Sequence, residues 1–167
     1  MSGAFEGMVA RHAAPGQVRW IGVRTARRGA VEPREAVEIL DRGLDGDRRE
    51  RPGKRAVTLI QWEHLAVISS LLGLDRIEPA DLRRNIVISG INLVALRKSP
   101  FRVGTTLLRG TGICAPCSRM EEVFGPGGFT AVRGHGGITA EVLEPGIARL
   151  GDAVFVSPDP TPPEVAG

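Results

Sequence analysis

Tyrosine is absent from this sequence of 167 residues, and aromatic side chains make up only 4% of it. Proteins that hold single-stranded nucleic acid stack its bases on aromatic rings, so this shortage argues against nucleic acid as a partner. Long apolar runs are missing as well. Segments such as IVISGINLVAL (86–96) are interrupted by polar residues and glycine, and they fall short of the roughly 20 residues that a bilayer helix requires. No membrane span is expected. The N-terminus, MSGAFEGMVARHAAPG, has no basic start leading into a continuous apolar stretch, which sets aside a secretory signal and makes the cytoplasm the expected compartment. Cysteine is scarce too, with only Cys114 and Cys117. In a reducing compartment they are expected as thiols rather than as a structural disulfide.

What is present is glycine and proline, 22 and 12 residues, which cut the chain into short segments and favour strands joined by tight turns. The fold class expected is mainly β with a few short helices, as one domain over residues 1–157. The remainder, 158–167, is rich in proline and small residues and reads as a disordered tail. Strands are expected at Gly7–Ala13, Val18–Arg24, Ala36–Leu40, Ala56–Ile60, Asn85–Gly90, Thr105–Thr111, Thr130–Gly134, Gly137–Leu143 and Ala153–Ser157. Two segments read as helices. Leu65, Ile68 and Leu72 recur at helical spacing before Gly73, and Met120 and Phe124 stand four apart before Gly125 and Pro126. A many-stranded, mostly antiparallel chain of this length commonly closes into a barrel, which removes its edges.

The two cysteines stand in TGICAPCSRMEEV (111–123). One C-x-x-C does not make a structural zinc site, which needs about four ligands, and His12, His64 and His135 are scattered. A thioredoxin-like pair needs a parallel βαβ setting that the surrounding chain lacks. Cys114 reads as a small buried residue or as a resolving thiol. Cys117 differs, because it follows a proline, precedes a helix start and has Arg119 two residues on. Nearby positive charge favours the thiolate, the form that binds soft metals or attacks electrophiles.

Positive charge in this chain is carried mainly by arginine, whose planar fork of donors suits phosphate and carboxylate oxygens. An anionic small-molecule ligand is therefore expected. In LRRNIV, Arg83, Arg84 and Asn85 form either a solvated turn or the mouth of a pocket, and spacing alone does not decide. The loop GLDGDRRERPGKRAVTLIQ (43–61) sets Asp47 beside Arg48 and Arg49. It is either an exposed charged loop or one that closes over a phosphate-bearing ligand. His135 stands between glycines, where backbone can approach a ligand closely.

In this order, GLDGD, RAVTLIQ, LRRNIVISGINL, FRVGTTLLRGTGICAPC, RGHGGI and GIARLGDAVFV resemble the MOSC domain family, named after the C-terminal part of molybdenum cofactor sulfurase. The resemblance implies a MOSC-type β-barrel that binds the molybdenum cofactor (molybdopterin) or carries sulfur. It implies that Cys117 is the ligand to molybdenum or the holder of a sulfane sulfur, and so the catalytic residue. Arg83, Arg84 and Asn85 become candidates for holding the pterin and its phosphate, with Asp47 and His135 in family motifs; Arg48 beside Asp47 and Arg119 beside Cys117 are further candidates for binding the cofactor. Arg84 stands where relatives often have proline. Longer relatives carry an extra N-terminal domain or a pyridoxal-phosphate domain, and neither is recognisable in these 167 residues, nor are flavin or iron-sulfur motifs. An external electron-donor reductase or sulfur donor is therefore expected. The activity implied is reduction of N-hydroxylated compounds. The alternatives are a carrier of persulfide on Cys117 and a non-catalytic module that binds an anion or a partner.

Overall fold

A computed structural model describes residues 3–49 and 51–157. Its strands are β1 (Gly16–Arg24), β2 (Val31–Pro33), β3 (Ala36–Leu40), β4 (Gly43–Leu44), β5 (Val57–Gln61), β6 (Ile86–Ser89), β7 (Pro100–Val103), β8 (Thr106–Ile113), β9 (Ile138–Glu144), β10 (Gly146–Arg149) and β11 (Ala153–Val156). The helices are α1 (Gly3–Val9), α2 (Trp62–Leu72), α3 (Arg119–Phe124) and α4 (Gly128–Val132). The tail at 158–167 lies outside the described residues. No helix among the described residues is long and apolar enough to cross a membrane.

Seven strands close into a barrel in the order β1, β6, β5, β9, β8, β7, β11 and back to β1. Only β5 and β6 run parallel, and the other neighbours in the ring are antiparallel. The two ends of β1 serve different partners. Gly16 and Gln17 pair with β11, which closes the ring, while Gly22 to Arg24 pair with β2. A small sheet of β10, β3 and β4 stands beside the barrel.

Alternation along the strands sorts the core into two layers, because successive side chains of a strand face opposite ways. Leu59, Ile86 and Ile88 join Ile21, Phe101, Leu108 and Ile138 in the larger cluster that fills the barrel. Their neighbours Ile60 and Val87 point the other way and pack with Leu65, Ile68, Met120 and Val132. β5 is therefore buried at every position, as expected of a strand covered on both faces. The helix read from Leu65, Ile68 and Leu72 is α2, and Gly73 ends it in the left-handed conformation (φ 69°), which glycine adopts without steric cost.

Two expected strands do not form: one is the end of a helix running into a loop, and the other overlaps a helix. Gly7–Ala13 begins within α1, none of whose residues is buried. Closure gives the physical reason: β1 already pairs with β6 on one side and with β11 and β2 on the other, so the segment falls back on local hydrogen bonds such as Ala10 N–H to the Glu6 carbonyl. Thr130–Gly134 overlaps α4. The Glu121 carboxylate accepts from the backbone N–H groups of Gly127 (3.1 Å) and Phe129 (2.8 Å) at the start of that helix, and Val132 is buried against α2 and the barrel wall. A carboxylate one helix upstream thus satisfies donors that a helix start leaves open.

Candidate functional site

A cavity of about 350 Å³ opens where β1 and β8 finish and β5 and β6 begin. Its wall carries eight arginines and, among the carboxylates of the described residues, only Glu122. Both cysteines line it. Cys114 is buried and Cys117 is exposed. This is the thiol contrast expected from the sequence, and the short helix expected after Cys117 is α3.

Asp47 and Asn85 lie behind the wall. The Asp47 side chain is 1% exposed and takes a two-pronged ion pair from Arg24, through Nε (3.2 Å) and Nη2 (3.0 Å). It also accepts from the Arg24 backbone N–H at 2.7 Å and from the Asn85 amide at 3.3 Å. Burial alone would raise the Asp47 pKa. The hydrogen bonds and charge of Arg24, with the Asn85 amide, outweigh it and hold the carboxyl below its ordinary value. Asn85 is fully buried. It donates to the Gly22 carbonyl (3.2 Å), and its Oδ1 accepts from the Thr58 backbone N–H (3.1 Å). Its side chain therefore ties together β1, β5 and the start of β6.

Arg83 and Arg84 are used differently from Asn85, although they adjoin it. Arg83 sits in the left-handed region (φ 57°) and donates to the carbonyls of Gly29 (2.6 Å) and Arg27 (3.2 Å), which fastens the turn between β1 and β2. Arg84 is buried. It donates to the carbonyls of Gly136 (2.9 Å), Leu82 (3.0 Å) and Ala115 (3.4 Å), and so reaches the loop between the two cysteines. The Cys114 N–H donates to the Gly137 carbonyl at 2.9 Å, which holds the same loop from its other side. Gly136 has to be glycine here, since a Cβ would stand 2.6 Å from the Cys114 carbonyl oxygen.

Arg119 meets Glu122 only loosely, at 3.9 Å, and its Nε is buried with no hydrogen-bond partner among the described residues. Arg48 lines the cavity on the loop before β5. The Arg83 guanidinium is held below its ordinary pKa first by burial and then by Arg119, Arg24 and Arg48, with Cys117 acting the other way. These side chains therefore share one field, and it is strongly positive.

His135 is not on the cavity wall. Its ring lies edge-on to His64, with centroids 5.3 Å apart at 77°, and its Nδ1 is buried without a partner among the described residues. His64 is held below its ordinary pKa by burial first and by His135 second, against Glu63.

Of the residues singled out from sequence, the cavity thus gathers Cys117, Arg83, Arg84, Arg119 and Arg48. Asp47 and Asn85 stand behind it, and His135 to one side. Sequence reading missed Arg24, Arg27 and Arg28. The one signal was their density in VRTARRGA, and nothing local links that segment to Cys117. Among the described residues, no cluster of three His, Cys, Asp or Glu side chains could hold a metal ion by itself.

The barrel has solved counterparts. The YuaD protein of Bacillus subtilis matches with a TM-score of 0.74 at 17% identity, covering 84% of this chain and 94% of that one. YiiM of Geobacillus stearothermophilus matches at 0.69 and 18% identity, covering 86% and 76%. YiiM of Escherichia coli matches at 0.64 and 16%, covering 85% and 70%. At such identities the likeness shows the fold. No curated protein matches the sequence significantly. The model of the MOSC domain matches residues 45–155, a span that holds Asp47, Arg83, Arg84, Asn85, both cysteines and His135. The chain belongs to the MOSC domain family.

Proposed function

We propose that this protein binds the molybdenum cofactor in the arginine-lined cavity and reduces N-hydroxylated compounds, with electrons from a separate reductase. The observation that carries this reading is a solvent-exposed thiol, Cys117, on the wall of a cavity whose other charged groups are almost all arginines. The donor set fits the group. A soft metal takes a thiolate ligand, and a phosphate takes arginine forks. With one exposed thiol and no three-ligand cluster among the described residues, a metal here has to arrive with its own ligands, as a metal carried on a pterin dithiolene does.

Cys117 would supply the protein's ligand to molybdenum. Arg119 would donate through its open Nε–H, and Arg48 with the remaining donors of Arg83 and Arg84 would hold the phosphate and pterin. Arg84 has a second task, since its bonds to Ala115 and Gly136 fix the loop that presents Cys117. Asp47 and Asn85 act as positioning residues that hold Arg24 and the strand ends in place. When bound, the cofactor supplies two-electron chemistry at the N–O bond. In the overall reaction that bond breaks, the hydroxylamine takes up two electrons and two protons, and the amine and water leave.

The test is molybdenum and pterin analysis of protein purified from a host that makes the cofactor, beside Cys117→Ser, with hydroxylamine reduction followed on both. The expected result is near-stoichiometric pterin and metal in the wild type, with metal and activity lost in the variant. Metal-free protein with a persulfide on Cys117 would replace this reading with sulfur transfer. Identical behaviour of the two proteins would leave only an anion-binding module.

A further inference from the structure

A second cavity, of about 480 Å³, shares no wall residue with the one that holds the cysteines. It lies between β1, α2 and the segment 75–79, which leads into a short turn at Pro79–Leu82. That turn divides the two cavities, with Pro79 bordering this one and Leu82 the other. Leu65 and Ile77 on this wall pack in one buried cluster with Leu82 and Met120 on the other. The chemistry of the walls is opposite. The cysteine cavity has eight arginines and no aromatic ring, whereas this one holds both tryptophans of the chain, Trp20 and Trp62.

Two local features build the second wall. β1 slips register against β6 between Val18 and Trp20, and such a bulge interrupts the alternation that sends successive side chains to opposite faces. Val18 and Ile21 belong to the cluster inside the barrel, while Arg19 and Trp20 both border the cavity. Gly22 then makes room for the ring. A Cβ at that position would collide with Cη2 and Cζ3 of Trp20, so the indole lies along its own strand and packs on the cluster under α2. A cavity of this size, largely apolar with a few polar groups, has the form of a small-molecule site. Those polar groups narrow the ligand. Arg19 lies over the Trp62 ring at 4.7 Å, Arg76 pairs with Glu78 at 3.2 Å, and the Ser69 hydroxyl donates to the Ala66 carbonyl at 3.0 Å. Of the charged wall residues, only Asp75 has no hydrogen bond, ion pair or ring contact among the described residues. Two arginines and two carboxylates balance at the rim, so the field there selects no net charge.

We infer that this cavity is a second ligand site, for a flat, uncharged aromatic molecule that stacks on the Trp20 indole and donates an N–H to Asp75. The inference is independent of the reductase reading, because none of its residues reaches the cysteine cavity.

The probes are benzimidazole, a flat bicycle with one N–H, 1-methylbenzimidazole, which lacks that donor, and cyclohexanol, a saturated ring. Each is titrated into the full chain purified from a cofactor-making host, with tryptophan emission as the readout. The chain has no tyrosine, so its emission comes from Trp20 and Trp62 and reports on this cavity. Benzimidazole is expected to bind saturably, about tenfold more tightly than cyclohexanol and about fivefold more tightly than its methylated form. Ala66 is exposed on the cavity wall, so Ala66→Phe should fill the space from α2 without unfolding the chain, and abolish binding. Asp75→Ala should remove the preference over the methylated probe and keep the preference over cyclohexanol. Added inorganic phosphate, which seeks the arginines of the other cavity, should change nothing. Equal binding of the three probes, quenching that never saturates, or binding untouched by Ala66→Phe overturns the site. Displacement of benzimidazole by phosphate overturns it by placing the probe in the cysteine cavity. Emission that shifts with protein concentration alone overturns it in favour of a second copy of the chain as the occupant. Metal-free protein that still binds benzimidazole as described upholds the site, whatever becomes of the reductase reading.

Discussion

Asn85 and Cys117 stand at the same end of the barrel, one on the start of β6 and the other on the loop after β8, yet their surroundings are opposite. Around Asn85 and Asp47 the polar groups are buried and matched: a carboxylate has its arginine, and an amide has its carbonyl and its hydroxyl. Around Cys117 the arginines outnumber the carboxylates, Arg119 keeps an open Nε–H, and the thiol faces solvent. The first arrangement closes on itself and holds strands together. The second leaves donors and a thiol open to solvent. Adjacent residues can belong to different sides of this division, as Arg84, which lines the cavity, and Asn85, which does not, show.

The largest effect is expected from breaking the matched side. Asp47→Ala leaves the Arg24 guanidinium, 13% exposed, without its counter-charge, and a cost of about 3–5 kcal/mol is expected for a broken buried pair. Urea denaturation at pH 7 reads this directly. Because the Asp47 pKa is depressed in the fold, the stability it contributes is present above the unfolded-state value of about 3.9 and is lost as pH falls through the lower folded value. The gap between wild type and variant should therefore narrow below about pH 4. A gap that is small at pH 7, or constant down to pH 2, would mean that this network does not hold the barrel end.

A smaller effect is expected where the two sides meet. Arg84→Ala removes donors from three carbonyls, and solvent at the cavity replaces some of them, so the cost should be about 1–3 kcal/mol. The more telling readout is local. With the Ala115 and Gly136 contacts gone, Cys114 should react faster with a thiol reagent at a denaturant concentration too low for global unfolding. Unchanged labelling would show that Arg84 does not fix the cysteine loop.

The smallest stability effect is expected on the open side. In protein made without the cofactor, Ellman's reagent should modify Cys117 rapidly and Cys114 only on unfolding. Cys117→Ser should shift stability by less than about 0.5 kcal/mol, as exposed substitutions usually do. Two equally protected thiols would mean that the Cys117 side of the barrel end is as closed as the Asn85 side.

Much of this was legible in the chain. The strand Ala36–Leu40 is found with the bounds its alternation implies, and α2 follows its apolar period to Gly73. The motif order pointed to the MOSC family and to Cys117. The short strands β2, β4, β7 and β10 were not legible, because two to four residues with proline or glycine among them look like turns until a partner strand is supplied. The strands expected at Gly7–Ala13 and Thr130–Gly134 fail for a related reason, since the pairing edge in one case and the Glu121 carboxylate in the other lie elsewhere in the molecule. At the site, the role of Arg83, Arg84 and Asn85 could not be read from RRN. A guanidinium and an amide look alike as donors on paper, and only their surroundings say whether those donors are spent on the protein or kept for a ligand.

By itself, the order of residues determined what is local: strand alternation, the helical period, the scarcity of rings, and which cysteine follows a proline ahead of a helix. These depend on neighbours within a few positions, so no partner is needed to read them. Only the tertiary structure decided that Arg24, Arg83, Arg119 and Cys117, drawn from segments nearly a hundred residues apart at the extremes, share one cavity, and that Asp47 and Asn85 lie behind its wall. Barrel closure sets those distances, because the register of each strand against its neighbours decides which loops meet at the open end.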